Sequence, residues 1–237
     1  MTTAAKLEGI DLRYGDTEVL RGVDLQVRRG EILALIGPSG CGKTSLLHIV
    51  MGLLPPTSGS AEVNGTKAMV FQKPQLLPWS SVADNAAFGL ECRGVARDEA
   101  RQRAEAMLAA MGLADVVDNR PHQLSEGMKQ RVNLARALLV EPDVLLMDEP
   151  YDALDAMTRE RLWSELLALC AERSLTVLFA SHDLEEVVFL ADRVAFLSDK
   201  PTSVLAVEEV GLPRPRVRGA ALYERVAALR ERSIKER

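Results

Sequence analysis

Residues 37–44 read GPSGCGKT and stand between an apolar run at 31–36 and a helix-like stretch at 45–51. A buried strand, a Gly-rich turn and a helix start in that order build a nest of backbone N–H groups aimed at an anion. Gly37, Gly40 and Gly42 let the turn wrap a phosphate with no Cβ in the way, and Gly52 can end the helix. Pro38, Ser39 and Cys41 complete the turn, and Ser45 opens the helix beyond it. Lys43 is placed to reach the β- and γ-phosphates, and the Thr44 hydroxyl to meet Mg²⁺. The pattern predicts a nucleoside triphosphate site.

The chain has 237 residues, 47% of them hydrophobic, enough for one large core or two smaller ones. No apolar stretch approaches the roughly 18–20 residues that cross a bilayer. The start, MTTAAKLEG, lacks the charged-then-apolar pattern of a signal peptide. Cys41, Cys92 and Cys170 show no disulfide or metal spacing. A soluble, intracellular protein is expected. The net charge of −5 is uneven: from 211 onward eight Lys and Arg face three Asp and Glu, so the tail is basic and the body acidic. An acidic body argues against a nucleic-acid partner. The basic tail is either a solvated terminal helix or a contact for a membrane surface or partner.

Three regimes follow one another. Up to about Gln72, short apolar runs broken by Gly22, Gly30 and Gly65 predict strands joined by turns. From about 73 to 140 the pattern is helical: Ala100, Ala104, Met107, Leu108 and Met111 mark one face, closed by Gly112, and Met128, Val132, Ala135, Leu138 and Leu139 mark another. Strand and helix then alternate, with strands at 144–147, 176–180 and 194–198 and helices at 155–173 and 184–191. Such alternation implies an α/β fold with a mainly parallel sheet, and the helical middle reads as an inserted subdomain.

The run 144–147 ends in Asp148-Glu149, which sets two carboxylates at the carboxyl edge of that sheet, where ligands of parallel sheets bind. Asp148 is suited to hold Mg²⁺ through its water shell, and Glu149 to orient and deprotonate an attacking water. No Asn-Lys-x-Asp guanine-reading motif occurs.

With these two halves in place, the chain resembles the ATP-binding subunits of ABC transporters across nearly all of residues 7–210. Tyr14 in LRYGD matches the aromatic that stacks on adenine. Gln72 in VFQKP matches the glutamine that touches Mg²⁺ and links the site to the membrane partner. LSEGMKQR at 124–131 stands where the signature LSGGQ belongs. PYDALD at 150–155 matches the segment that crosses the dimer seam, and His182 in ASHDLEE matches the switch histidine.

The resemblance implies a P-loop NTPase core with an antiparallel β subdomain and the inserted helices over 1–210, followed by a basic helical extension at 211–237. It also implies a head-to-tail homodimer, or a pair with another ATPase subunit. Ser125, Gly127 and Asp155 of one copy would complete the ATP site formed by Lys43, Gln72, Glu149 and His182 of the other, with Mg²⁺ on Thr44, Gln72 and Asp148. An integral membrane permease, a periplasmic solute-binding protein and a place on the cytoplasmic face of the inner membrane follow from the same likeness.

LLPW at 76–79, the segment at 150–159 and LPRPR at 212–216 are similar to the nitrate, sulfonate and taurine importer branch. The apolar LLPW is either a groove for the permease or ordinary packing of Trp79 in the helical subdomain. A soluble ABC ATPase in a non-transport complex is the alternative, and a nucleotide-binding subunit of low turnover is a third reading.

The signature departs from the family. Glu126 replaces its first Gly and Met128 its Gln. The Glu126 carboxylate either opposes a partner's γ-phosphate or turns to solvent and caps its own helix. Cys41 is either a small residue tolerated in the turn or a thiol whose pKa the nearby N–H dipoles lower.

Overall fold

The computed structural model describes residues 2–152 and 154–235, so Ala153 of the 150–155 segment and the last two residues of the expected tail helix lie outside it. Chain order runs β1 (Thr3–Tyr14), β2 (Thr17–Arg28), β3 (Ile32–Ile36), α1 (Lys43–Met51), β4 (Ser58–Val63), β5 (Lys67–Val70), α2 (Val82–Cys92), α3 (Arg97–Ala110) and α4 (Glu126–Leu139). It continues with β6 (Val144–Asp148), α5 (Ala156–Arg173), β7 (Thr176–Ser181), α6 (Leu184–Leu190), β8 (Arg193–Leu197), β9 (Val204–Glu209) and α7 (Ala220–Lys235).

Every residue of β3, β6 and β7 is buried, as unbroken apolar runs require when both faces of a sheet are covered. These strands form the middle of a six-stranded sheet of order β5-β6-β7-β3-β8-β9, parallel except for β9 at one edge. Along β3, Ile32, Ala34 and Ile36 face a core shared with the helices, while Leu33 and Leu35 face a second core. That second core is closed by α1 and by an antiparallel sheet of order β2-β1-β4, in which β1 and β2 largely alternate buried and exposed residues. The helices α2 to α4 fall in the chain between β5 and β6. The fold is α/β, with a mainly parallel sheet, an antiparallel β layer and inserted helices.

Gly22 departs from expectation. It lies within β2, not in a turn, at φ 55°, and its N–H donates to Asp11 Oδ1 at 2.6 Å. The pairing of β1 with β2 slips nearby, between Leu7 and Ile10 and again between Ile10 and Leu12, so this glycine marks a bulge region.

The tail is folded against the body. Leu222, Val226 and Leu229, the expected apolar face of α7, are buried in the core that also holds α6. Ahead of them, the buried Arg216 guanidinium donates to the carbonyls of Val188 (2.9 Å), Phe189 (3.2 Å) and Ala191 (2.6 Å) at the end of α6. It also donates to Leu212 O, and burial pulls its pKa down to about 10. A cation at a helix C-terminus satisfies carbonyls that have no partner within the helix.

Candidate functional site

The parallel strands deliver their loops to one edge. Gln72 follows β5, Asp148 and Glu149 end β6, His182 follows β7, and the Gly-rich turn follows β3. A cleft of about 360 Å³ there is lined by Ser39, Gly40, Gly42, Lys43, Thr44, Ser45, Gln72, Glu149 and Tyr14. Val19 and Lys200 also line it, and neither is marked by any motif. Tyr14 is 54% exposed, so its ring is available to a ligand in the cleft.

Helix α1 begins at Lys43, which directs its first N–H groups into the turn. Gly42 takes φ 120°, and a Cβ there would press on Leu20 Cδ2 and Val19 Cγ1 at 3.0 and 3.1 Å. At Gly37 a Cβ would meet Leu197 Cβ at 2.9 Å, so the turn lies directly on β8. The buried Lys43 ammonium donates to the carbonyls of Gly37 (2.9 Å) and Pro38 (3.1 Å), which keeps the charge inside the loop.

Cys41 turns the other way. Its side chain is buried in the core under the antiparallel sheet, and its carbonyl accepts from the Thr202 hydroxyl. Burial raises the thiol pKa, and Lys43 opposes this only in part. The dipole-activated thiol is therefore not formed, because the sulfur sits in an apolar layer.

Burial also raises the Asp148 pKa, with the Thr44 hydroxyl as the main opposing influence. Glu149 holds φ 44°, an unusual backbone state for a residue with a side chain, fixed by its N–H donating to Ala180 O at 3.0 Å. This kink points the Glu149 carboxylate at three groups. Gln72 Nε2 donates to its Oε2 at 2.8 Å, and His182 Nδ1 lies 3.6 Å from its Oε1. Asp152 is the third, pushed to a pKa of about 6 by burial and by its hydrogen bond to Glu149. His182 Nδ1 is 3.8 Å from Asp152 Oδ2, which makes Asp152 a companion of the pair.

Gln72 is held from behind by α4. Gln130 Nε2 and Asn133 Nδ2 both donate to Phe71 O, at 3.3 and 3.0 Å, and Arg136 donates to Gln75 O at 2.7 Å.

Ser125, Gly127 and Asp155 do not line the cleft of their own chain. Ser125 caps α4 by accepting from Met128 N at 3.3 Å, and Asp155 caps α5 by accepting from Thr158 N at 3.0 Å. Glu126 is exposed and pairs with Lys129 at 2.6 Å, so Ser125 and not Glu126 caps this helix. Trp79 is 72% exposed, which removes its packing within the helical segment as an explanation.

A Gly-rich turn feeding a helix start, faced across the sheet edge by paired carboxylates, a glutamine and a histidine, defines a P-loop nucleotide-binding cassette. Residues 20–152 match the ABC transporter family. The aliphatic sulfonates import ATP-binding protein SsuB of Corynebacterium glutamicum is 47% identical over 196 residues, 83% of this chain and 81% of that protein. The nitrate import ATP-binding protein NrtD of Synechococcus elongatus is 41% identical over 232 residues, 93% of this chain and 85% of that one. Among solved structures, a dimeric ATP-binding cassette in a post-hydrolysis state, bound to ADP and Pi, superposes with a TM-score of 0.82 at 28% identity. That match covers 88% of this chain and all of the other. The chain belongs to the ABC transporter family, and it is an ATP-binding, ATP-hydrolysing cassette.

Proposed function

We propose that the chain energises a bacterial ABC importer of a small anion or organosulfonate-like solute. The cassette over 1–210, with its helical subdomain at about 73–140, pairs head-to-tail with a second copy and couples to an integral permease on the cytoplasmic face of the inner membrane. A periplasmic solute-binding protein supplies the cargo. The importer reading draws on the sulfonate and nitrate import relatives, and no helix among the described residues is long and apolar enough to cross a membrane itself. The exposed Trp79, on the loop after Gln72, is assigned to the permease contact.

The donors fit Mg²⁺. Thr44 offers a hydroxyl, Asp148 a carboxylate and Gln72 an amide oxygen, an all-oxygen set suited to a hard cation. Gln72 gives its amide nitrogen to Glu149, so its carbonyl oxygen remains for the metal. Bound there, Mg²⁺ would neutralise charge on the phosphates and hold Asp148 ionised against burial.

The chain's own residues do the rest. The 37–45 loop and Lys43 grip the phosphates, and Tyr14 stacks on the base. Glu149, oriented by Gln72 and His182, takes a proton from water. Ser125 and Gly127, at the start of α4, and the Asp155 segment seal the site of the opposite copy, which is why one chain leaves them outside its cleft. The bonds of Gln130 and Asn133 to Phe71 O tie the helical segment to the residue next to Gln72.

The observation that carries this reading is Glu149, turned by its strained backbone onto Gln72 and His182 at the sheet edge. Glu149→Gln should cut ATP turnover about 10²–10⁴-fold while ATP binding persists. Unchanged phosphate release would remove Glu149 as the base.

A further inference from the structure

His182 is the most exposed member of its cluster, at 58% against 18% for Glu149 and 37% for Asp152. Its position is set by its two chain neighbours. The Ser181 hydroxyl donates to Glu186 Oε2 and accepts from Asp183 N at 3.0 Å. Asp183 divides its carboxylate: Oδ1 caps α6 by accepting from Glu185 N at 2.8 Å, and Oδ2 accepts from Arg159 at 2.9 Å. Arg159 lies on the first turn of α5, the helix that Asp155 caps, and its other nitrogen reaches Leu154 O at 3.5 Å. Its guanidinium also sits 5.9 Å from the Trp163 ring centroid, a cation–π contact.

From this geometry we propose that Arg159 is a positioning residue that ties the 150–155 segment to His182. The inference rests on the role given to His182 above. One guanidinium spans both segments, so a shift of the 150–155 backbone is passed to Asp183 and from there to the adjacent imidazole. The arrangement is separable from folding. Loss of Arg159 leaves Asp183 Oδ1 on the α6 N-terminus and Ser181 on Glu186, and an ion pair whose side chains are still 28% and 31% exposed adds only modestly to stability. What is lost is the second anchor of the Asp183 carboxylate, and with it the fixed distance from His182 to Glu149.

The test uses the full chain with Arg159→Ala, Arg159→Lys and His182→Ala, alone and combined. Arg159→Ala should lower kcat for ATP about 10–100-fold, the scale of a misplaced catalytic group, with KM changed less than about threefold. Arg159→Lys should recover part of it, because an ammonium reaches one carboxylate oxygen but not the Leu154 carbonyl as well. Added to His182→Ala, Arg159→Ala should cost nothing further. The chain has only His48, His122 and His182, so imidazole NMR resolves the site directly. Arg159→Ala should shift and broaden the His182 signal and leave the other two in place. Losses that multiply in the double variant, an unmoved His182 signal or unchanged kcat would overturn the proposal while the His182 role stands. If His182→Ala alone turns over normally, that role fails first and takes this inference with it.

Discussion

Glu186 invites the sharpest physical test. It is 2% exposed, and burial pushes its pKa from an ordinary 4.5 to about 8, opposed by the Ser181 hydroxyl and reinforced by Asp183 and Asp152. Between those two values the unfolded chain has released the proton and the folded chain keeps it. The folded state therefore binds more protons, and stability falls as pH rises through the window, levelling off above about pH 8. Each pH unit inside it is worth about 1.4 kcal/mol, so from pH 5.5 to 8 this group alone should remove about 3 kcal/mol. Glu186→Gln keeps an acceptor for Ser181 and does not titrate. Urea unfolding of both proteins at several pH values gives a difference in which other carboxylates largely cancel. The wild type should lose about 3 kcal/mol relative to the variant over that range. Parallel stability curves would show that Glu186 is ionised in the folded protein and that its burial has been misjudged.

Other outcomes follow from features already described. Glu126→Gly should leave ATP turnover similar or raise it, since the carboxylate points to solvent and pairs with Lys129; a large loss in a phosphate-release assay would give Glu126 a positive role. Trp79→Ala should hydrolyse ATP normally yet fail to co-purify with the permease, and unchanged assembly would remove the groove. At neutral pH, Cys92 should be alkylated within minutes while Cys41 and Cys170 react only on unfolding. Both are buried, and Cys170 is pushed up to about 12. Peptide mapping after a brief pulse of iodoacetamide checks this.

Much of the fold was legible where burial is two-sided or the signal is local. Strands at 32–36, 144–148 and 176–181 show as apolar runs because the sheet is covered on both faces. The turn at 37–44 announces itself because its chemistry is written in eight adjacent residues. Two of the edge strands gave no such signal. Ser58–Val63 has no fully buried residue, and Val204–Glu209 shows only a half-exposed alternation. Gly22 looked like a turn because a bulge needs the same positive φ.

Within the site, Lys200 was invisible because only the fold brings the β8–β9 loop to the cleft. Asp152 could have been suspected from its place three residues after Glu149. The Arg159–Asp183 pair spans 24 residues and has no local periodicity to betray it. The helix-start roles of Ser125 and Asp155 were reachable, since each precedes a helical stripe. Their distance from the cleft of their own chain was not.

The guanidinium of Arg216 has a practical consequence for anyone recombining such subunits. Cutting the polypeptide at 210 would strand the backbone oxygens of Val188, Phe189 and Ala191 and bare the socket of Leu222, Val226 and Leu229. Grafting a foreign tail onto this body would succeed only if the 184–191 turn travelled with it. For chimeras, the natural crossover therefore lies upstream of that turn and not at the last strand.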